Sequence, residues 1–268
     1  MTGSRRLRRA TVSTPVDRGT AVGIGVVMFL AVITAGCSGD GGSAPRSAGS
    51  LPSPSVVGAA PTGSGRVIDR VDTGASTKVI TVLSDSWSSA AAEVVLWERR
   101  GDGAWDQVGG PWTADVGRAG WSYEPGESTL RSPIGSFGFG TGFGLEPDPG
   151  YAGGWFDITD TDYWVEDPAS PDYNTRQQGP VDPAQAPWGH FERLADYTVA
   201  YRYAALINFN VPTRGPIGSG IFLHQATGSG STAGCVALPE DELLTTLRWI
   251  DPASTRIVMG PESEMAPT

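Results

Sequence analysis

Along the chain, β-branched and aromatic residues recur in short runs between clusters of Gly, Pro, Asn, Asp and Ser, a pattern that predicts strands joined by turns. The runs fall at residues 78–83, 93–98, 105–116, 155–164, 198–209, 221–224 and 256–259. Between the second and third, Gly101-Asp102-Gly103 predicts a hairpin turn. One segment has a different period. Leu243, Leu244, Leu247 and Ile250 share a helical face, Pro239 opens it, and Asp251-Pro252 closes it. Glu240, Asp241 and Glu242 suit the positive end of that helix dipole. The pattern predicts a mainly β domain over residues 67–261 with one short helix, and a tail at 262–268. The repeat Phe137-Gly138-Phe139-Gly140-Thr141-Gly142-Phe143-Gly144 is not a dinucleotide loop, because its glycines miss the G-x-G-x-x-G spacing and no helix signal follows. A glycine-rich strand edge or groove-lining loop is expected there.

The first residues follow another logic. Arg5, Arg6, Arg8 and Arg9 precede an apolar run from Ala21 to Ala35, about 15 residues against the roughly 20 that a membrane-spanning helix needs. The run ends in Ile33-Thr34-Ala35-Gly36-Cys37, which resembles a bacterial lipobox with Thr34 in place of the usual leucine. Residues 1–36 are therefore expected to be a lipoprotein signal peptide, with Cys37 lipidated as the new N-terminus. Residues 37–66 are Gly, Ser, Pro and Ala with little to bury, and are expected to form a disordered tether. As a flexible coil such a tether reaches about 30 Å. The expected location is the outer face of the cytoplasmic membrane, held by lipid and facing the cell wall.

Charge and composition narrow the chemistry. Acids outnumber bases 29 to 19, and Lys78 is the only lysine, which argues against a nucleic-acid partner. Beyond residue 36 there are 14 bases and 28 acids, a formal charge near −14, so anionic lipid would repel the surface, and a lipid anchor would hold the chain at the membrane regardless of that repulsion. Lys78 follows Thr77 and cannot complete a Walker A loop, and His190 and His224 are too far apart in sequence for an HExxH zinc site. Two cysteines make neither a disulfide scaffold nor a four-cysteine zinc site. No metal and no cofactor are expected.

The informative segment is Ile221 to Leu238. His224 closes a β-run, a Gly/Ser/Thr loop follows, and Gly234-Cys235 opens the next apolar run. Cysteine nucleophiles need a base to take the thiol proton and backbone N–H groups aimed at the developing oxyanion. His224 is the candidate base, and the amides around Gly234 and Cys235 are candidate donors, with Gly234 leaving room for substrate to approach. Taken singly, Cys235 also suits a buried small hydrophobe and His224 a satisfied core residue. His190, in Trp188-Gly189-His190-Phe191-Glu192, is expected in a loop or on the surface.

The segment resembles the signature of the L,D-transpeptidase (YkuD-like) family, a strand-borne His followed by a loop and [S/T]-x-G-C. Thr232, Gly234, Cys235 and His224 fall on its positions. Arg131-Ser132-Pro133-Ile134-Gly135-Ser136-Phe137 resembles the family's T-P-x-G-x-F block, and Tyr203 to Asn210 the strand leading to the histidine. The chain departs at Ala233, where a second histidine is common, at Ala237, where Arg or Asn is common, and in a loop of only ten residues between His224 and Cys235. The resemblance implies a β-sandwich with a short helix after the cysteine, and a monomer acting on peptidoglycan stem peptides. It implies Cys235 as nucleophile, His224 as general base, the Gly234 backbone at the oxyanion and the Gln225 carbonyl orienting His224. Thr232, Ser231 and Asn210 are the expected substrate contacts. L,D-carboxypeptidase activity, or a non-catalytic wall-binding lipoprotein of the same fold, are the alternatives.

Overall fold

The structure, a computed structural model, describes residues 66–265. The expected signal peptide, Cys37 and all of the tether before Arg66 lie outside the described residues. In chain order the strands are β1 (Lys78–Ser84), β2 (Ala91–Arg99), β3 (Trp105–Asp115), β4 (Trp121–Ser122), β5 (Ser132–Pro133), β6 (Gly135–Phe137), β7 (Phe139–Gly144), β8 (Trp155–Asp157), β9 (Asp162–Val165), β10 (Thr175–Gln178), β11 (Phe191–Arg193), β12 (Ala204–Ile207), β13 (Phe222–Gln225), β14 (Val236–Leu238) and β15 (Thr255–Pro261), and the α-helix α1 spans Glu240–Trp249. The fold is mainly β, as the residue pattern predicts.

Ten strands form one sheet in the order β6-β15-β1-β2-β3-β14-β13-β12-β7-β8. Within it β1, β2 and β3 form an antiparallel meander, with β2 paired along most of β1 and β3 and turned at the expected Gly101-Asp102-Gly103. β1 lies between β2 and the parallel β15 and is covered on both faces, which suits its run of Val79, Ile80, Thr81 and Val82. The sheet curls until its distant parts meet. Phe137 on β6 packs edge-on against Phe209, just past β12, with ring centroids 5.6 Å apart. Both halves thus share one apolar core, giving the sandwich. Helix α1 buries Leu243 and Leu247 completely on the face its spacing predicts, and packs against β13 and β14.

Two expected strands are shorter than their runs. Residues 155–164 divide into β8 of the large sheet and β9 of a separate three-stranded sheet, β10-β9-β11. The break comes where the Thr159 N–H and hydroxyl donate to the Asp162 carboxylate at 2.8 and 2.7 Å, a local turn that competes with the ladder. Of residues 198–209 only Ala204–Ile207 is strand, preceded by a 3-10 turn at Ala200–Arg202. The chain also stays packed beyond residue 261, with Met265 only 6% exposed.

The three-stranded sheet positions the site. Between it and the large sheet lies a second apolar cluster of Phe143, Trp164, Leu194, Ala200, Tyr201, Ala204, Phe222 and Cys235. Asn174 links the two sheets. Its Oδ1 accepts from Trp164 Nε1 and from the Gly220 N–H, both at 3.1 Å, and its Nδ2 donates to the Asn210 carbonyl at 3.0 Å.

Candidate active site

β13 and β14 are parallel neighbours, with Leu223 beside Val236 and His224 beside Ala237. Extending that register by one residue sets Phe222 beside Cys235, which puts Cys235 and His224 on the same face of the sheet, since side chains two apart along a strand point the same way. Tyr201 packs edge-on against both Phe222 and His224, at 5.6 and 5.8 Å between ring centroids. A parallel pair needs a connection that leaves the sheet and returns. Here residues 226–235 do this by swinging to Gly117, where Thr232 makes an isolated bridge, its N–H donating to the Val116 carbonyl at 2.8 Å.

Cys235 is a free thiol, 8% exposed, at the floor of a cleft of about 260 Å³. Its Sγ accepts from the Phe222 N–H at 3.4 Å and donates to the Gly220 carbonyl at 3.3 Å. His224 Nδ1 lies 2.8 Å from the Gln225 carbonyl oxygen. A carbonyl only accepts, so Nδ1 carries the hydrogen and Nε2 is left as the basic nitrogen. Burial pulls the His224 pKa down to about 4 against the raising effect of that carbonyl bond, so the ring is neutral at physiological pH. Burial pushes the Cys235 thiol well up, and the charges of Glu192 and Glu166 push it further, while the Phe222 N–H acts the other way. The resting pair is therefore neutral thiol and neutral imidazole, and no hydrogen bond joins them.

The backbone around Cys235 is fixed by two hydroxyls. Ser132 Oγ donates to the Gly234 carbonyl at 2.7 Å and accepts from the Gly117 N–H at 2.9 Å. Thr232 Oγ1 donates to the Cys235 carbonyl at 2.7 Å and accepts from the Gly234 N–H at 3.1 Å. The Gly234 N–H is thus already engaged, whereas no acceptor is found for the Cys235 N–H among the described residues. The missing Cβ of Gly234 also serves a neighbour other than substrate, because a Cβ there would lie 2.9 Å from the Arg131 carbonyl oxygen.

The remaining expected contacts do not line the cleft. Thr232 closes the turn just described, and Ser231 Oγ receives Arg118 Nε at 3.4 Å in the loop. Asn210 is 2% exposed, and its Nδ2 donates to the Gly215 and Gly218 carbonyls at 2.9 Å each while its Oδ1 accepts from the Arg214 N–H at 2.8 Å. Both of its amide hydrogens hold the loop leading to β13. His190 is exposed in a loop, as expected.

The cleft holds residues that the sequence did not single out. Glu127, Glu166, Glu192, Arg131 and Ser219 line it alongside Ala233, Gly234 and Cys235. Burial, then the charges of Glu192 and Glu127, push the Glu166 carboxyl up to about 8. Burial also raises Glu192, to about 7, against the hydroxyls of Tyr201 and Tyr197. The available signal was one acid, Glu166, directly after the apolar run Tyr163-Trp164-Val165; the pairing of Glu192 with Trp164 across the small sheet belongs to the structure alone. A charge so placed must either reach a cavity or remain protonated.

A mainly β sandwich, a parallel strand pair bearing histidine and cysteine, and a cleft over the thiol define an enzyme domain of the L,D-transpeptidase type. Residues 96–259 match the YkuD family, the L,D-transpeptidase catalytic domain, and the chain belongs to that family, whose members act on peptidoglycan stem peptides. No curated protein matches the chain.

Proposed function

We propose that the chain is a cell-wall L,D-transpeptidase working through a Cys235 thioester on stem peptides. The observation that carries this reading is the parallel register of β13 and β14, with Cys235 and His224 on one face and His224 Nδ1 committed to the Gln225 carbonyl. In the reaction, Nε2 of neutral His224 takes the thiol proton as Cys235 Sγ attacks the carbonyl between an L-configured centre and a following D-amino acid. The Phe222 N–H stabilises negative charge on sulfur, and the Cys235 N–H is the candidate oxyanion donor. The D-residue leaves with the proton from His224. An amine of a second stem then displaces the thiolate, which is reprotonated, to form the cross-link.

The acceptor separates this reaction from L,D-carboxypeptidase activity, in which water takes the amine's place. Incubating the chain with a tetrapeptide stem, with and without an amine-bearing stem, should release the D-residue and yield cross-linked product only with the amine. Cys235→Ala should lower this turnover by about a thousandfold or more. Hydrolysis alone would leave the carboxypeptidase, and stem binding without release would leave a wall-binding protein. The domain layout belongs to the same proposal, with residues 1–36 as signal, Cys37 lipidated and 37–66 as tether, anchoring the enzyme on the outer face of the cytoplasmic membrane. Fatty-acid labelling of the chain in cells should be lost in Cys37→Ala, and labelling that persists would sink the anchor.

A further inference from the structure

Away from the thiol, two aromatic rings meet on the surface. Trp87 is 41% and Tyr123 56% exposed, and they touch edge to face with ring centroids 5.9 Å apart. Apolar side chains exposed one at a time are ordinary, whereas two in contact form a patch. Both are held in place. The Tyr123 hydroxyl donates to the Glu264 carboxylate at 2.6 Å, and the Trp87 carbonyl accepts from the Trp121 N–H at 2.9 Å. Gly120, at a φ of 81°, lies so close to that carbonyl that no side chain fits between them. Rings fixed before a ligand arrives lose little freedom when it binds. Beside Tyr123 opens a cavity of about 440 Å³, lined also by Arg70, Asp72, Ser136 and Glu264. These groups set hydrogen-bond donors and acceptors at the border of an aromatic ring.

Such a border fits a pyranose ring, which presents a C–H face for the aromatic rings and a rim of hydroxyl groups for the polar ones. A protein partner fits poorly, since a stable protein interface takes about 20–30 residues a side. The position of the patch says which sugar. The loop joining β4 to β5 borders both sites, with Tyr123 at its start lining this cavity and Pro125, Ser128 and Arg131 lining the cleft over the thiol. Ser132 holds the Gly234 carbonyl beside Cys235, and Ser136, four residues on, lines the cavity, so their Cα atoms are at most about 14 Å apart. A tetrapeptide stem cleaved at its last bond puts three residues, about 10 Å when extended, between the attacked carbonyl and the glycan that carries it. We propose that Trp87, Tyr123 and the cavity beside them are a subsite for an N-acetylated hexosamine glycan, one ring stacking on the aromatic pair while Arg70, Asp72 and Ser136 bond its hydroxyl and acetamide groups. That this glycan carries the stem attacked by Cys235 rests on the transpeptidase reading; the sugar subsite itself does not.

The test has two arms, both on the full chain. In the first, the probe is the soluble tetramer of β-1,4-linked N-acetylglucosamine, and binding is followed by transfer of saturation from protein to ligand by NMR. The tetramer should bind, Tyr123→Ala should weaken it at least tenfold and Trp87→Ala at least fivefold. Tyr123→Phe keeps the ring and should bind within about twofold of the parent; a loss as large as that of Tyr123→Ala would overturn the stacking. No binding, or equal binding by both alanine variants, would overturn the subsite. Displacement of the tetramer by free tetrapeptide would make the cavity a peptide site and overturn it too. In the second arm, release of the D-residue is compared for a tetrapeptide stem free in solution and for the same stem attached to a glycan tetrasaccharide. Tyr123→Ala should raise KM at least tenfold for the glycan-borne stem with kcat unchanged, and should leave both constants unchanged for the free stem. An equal rise in KM for the free stem would mean that the loop had disturbed the cleft, and would overturn the subsite. A chain that binds the tetramer through Trp87 and Tyr123 but releases no D-residue from either stem would overturn only the proposed reaction.

Discussion

β2 and β3 run for nine and eleven residues, whereas β13 and β14, beside the candidate nucleophile, have four and three. The long pair carries its own register across two bulges near Leu96, because alternating positions meet neighbours on both sides of them. The short pair cannot. Its geometry is set by side-chain hydroxyls and amides outside the ladder, two on distant segments, Ser132 on the Gly234 carbonyl and Asn174 on Gly220, and two nearby, Thr232 on the Cys235 turn and Asn210 on its loop. One half of the sheet is stabilised by apolar area and the other is positioned by polar clamps, and short strands are what allow loops to enclose a cleft.

Substitutions on the two sides should break different properties. In the meander, Ile80→Ala removes a side chain 1% exposed on β1 and should cost about 2–5 kcal/mol of stability. Activity per folded molecule should be unchanged, as judged by urea unfolding and by the stem assay below the transition. Ser132→Ala should do the reverse. Stability should fall by less, about 1–3 kcal/mol, for the clamp lost between the Gly117 N–H and the Gly234 carbonyl. Activity should fall tenfold or more, because the turn carrying Cys235 loses its fixed plane. If Ser132→Ala lost only stability and Ile80→Ala only activity, the division of labour would be wrong.

The same division explains what could be read from the sequence. β1, β2, β3, β15 and α1 follow their apolar patterns closely, since each is long enough for its period to show. His224 and Cys235 were legible from residue type and order. Ser132, Glu192 and Ser219 were not, because a clamp or a cleft wall is made by residues from separate segments, and no local pattern marks which serine meets which carbonyl. Asn210 is a contrasting case. A polar residue near the family's motif suggests a ligand contact, yet its φ of 55° and its bonds within the loop give it a turn to hold. The glycine repeat at residues 137–144 runs from the end of β6 through strand β7, where glycine is needed because a Cβ on Gly144 would lie 2.3 Å from the Arg202 carbonyl oxygen. A close approach of that kind leaves no periodic trace.

The smallest effect expected is one of pH, and it too belongs to the clamped half. Glu166 and Glu192 have folded-state pKa values raised from 4.5 to about 8 and about 7. The folded chain therefore holds protons that the unfolded chain releases, so their contribution is complete below pH 4.5 and is lost as pH rises through 7 to 8. His224 has the opposite sign. With its pKa lowered from 6.5 to about 4, its contribution is present above pH 6.5 and lost as pH falls toward 4. Glutamine mimics the protonated glutamate, so Glu166→Gln should leave stability unchanged at about pH 5 and raise it by about 1 kcal/mol at about pH 8.5, the equivalent of somewhat less than one pKa unit for a group that still touches solvent. Urea unfolding at the two pH values checks this, with Ile80→Ala as the control whose deficit should be the same at both. A gain for Glu166→Gln that did not depend on pH would mean that the change relieves packing and not charge. The acidic wall would then lose the feature that sets it apart from the meander, a stability cost that depends on pH.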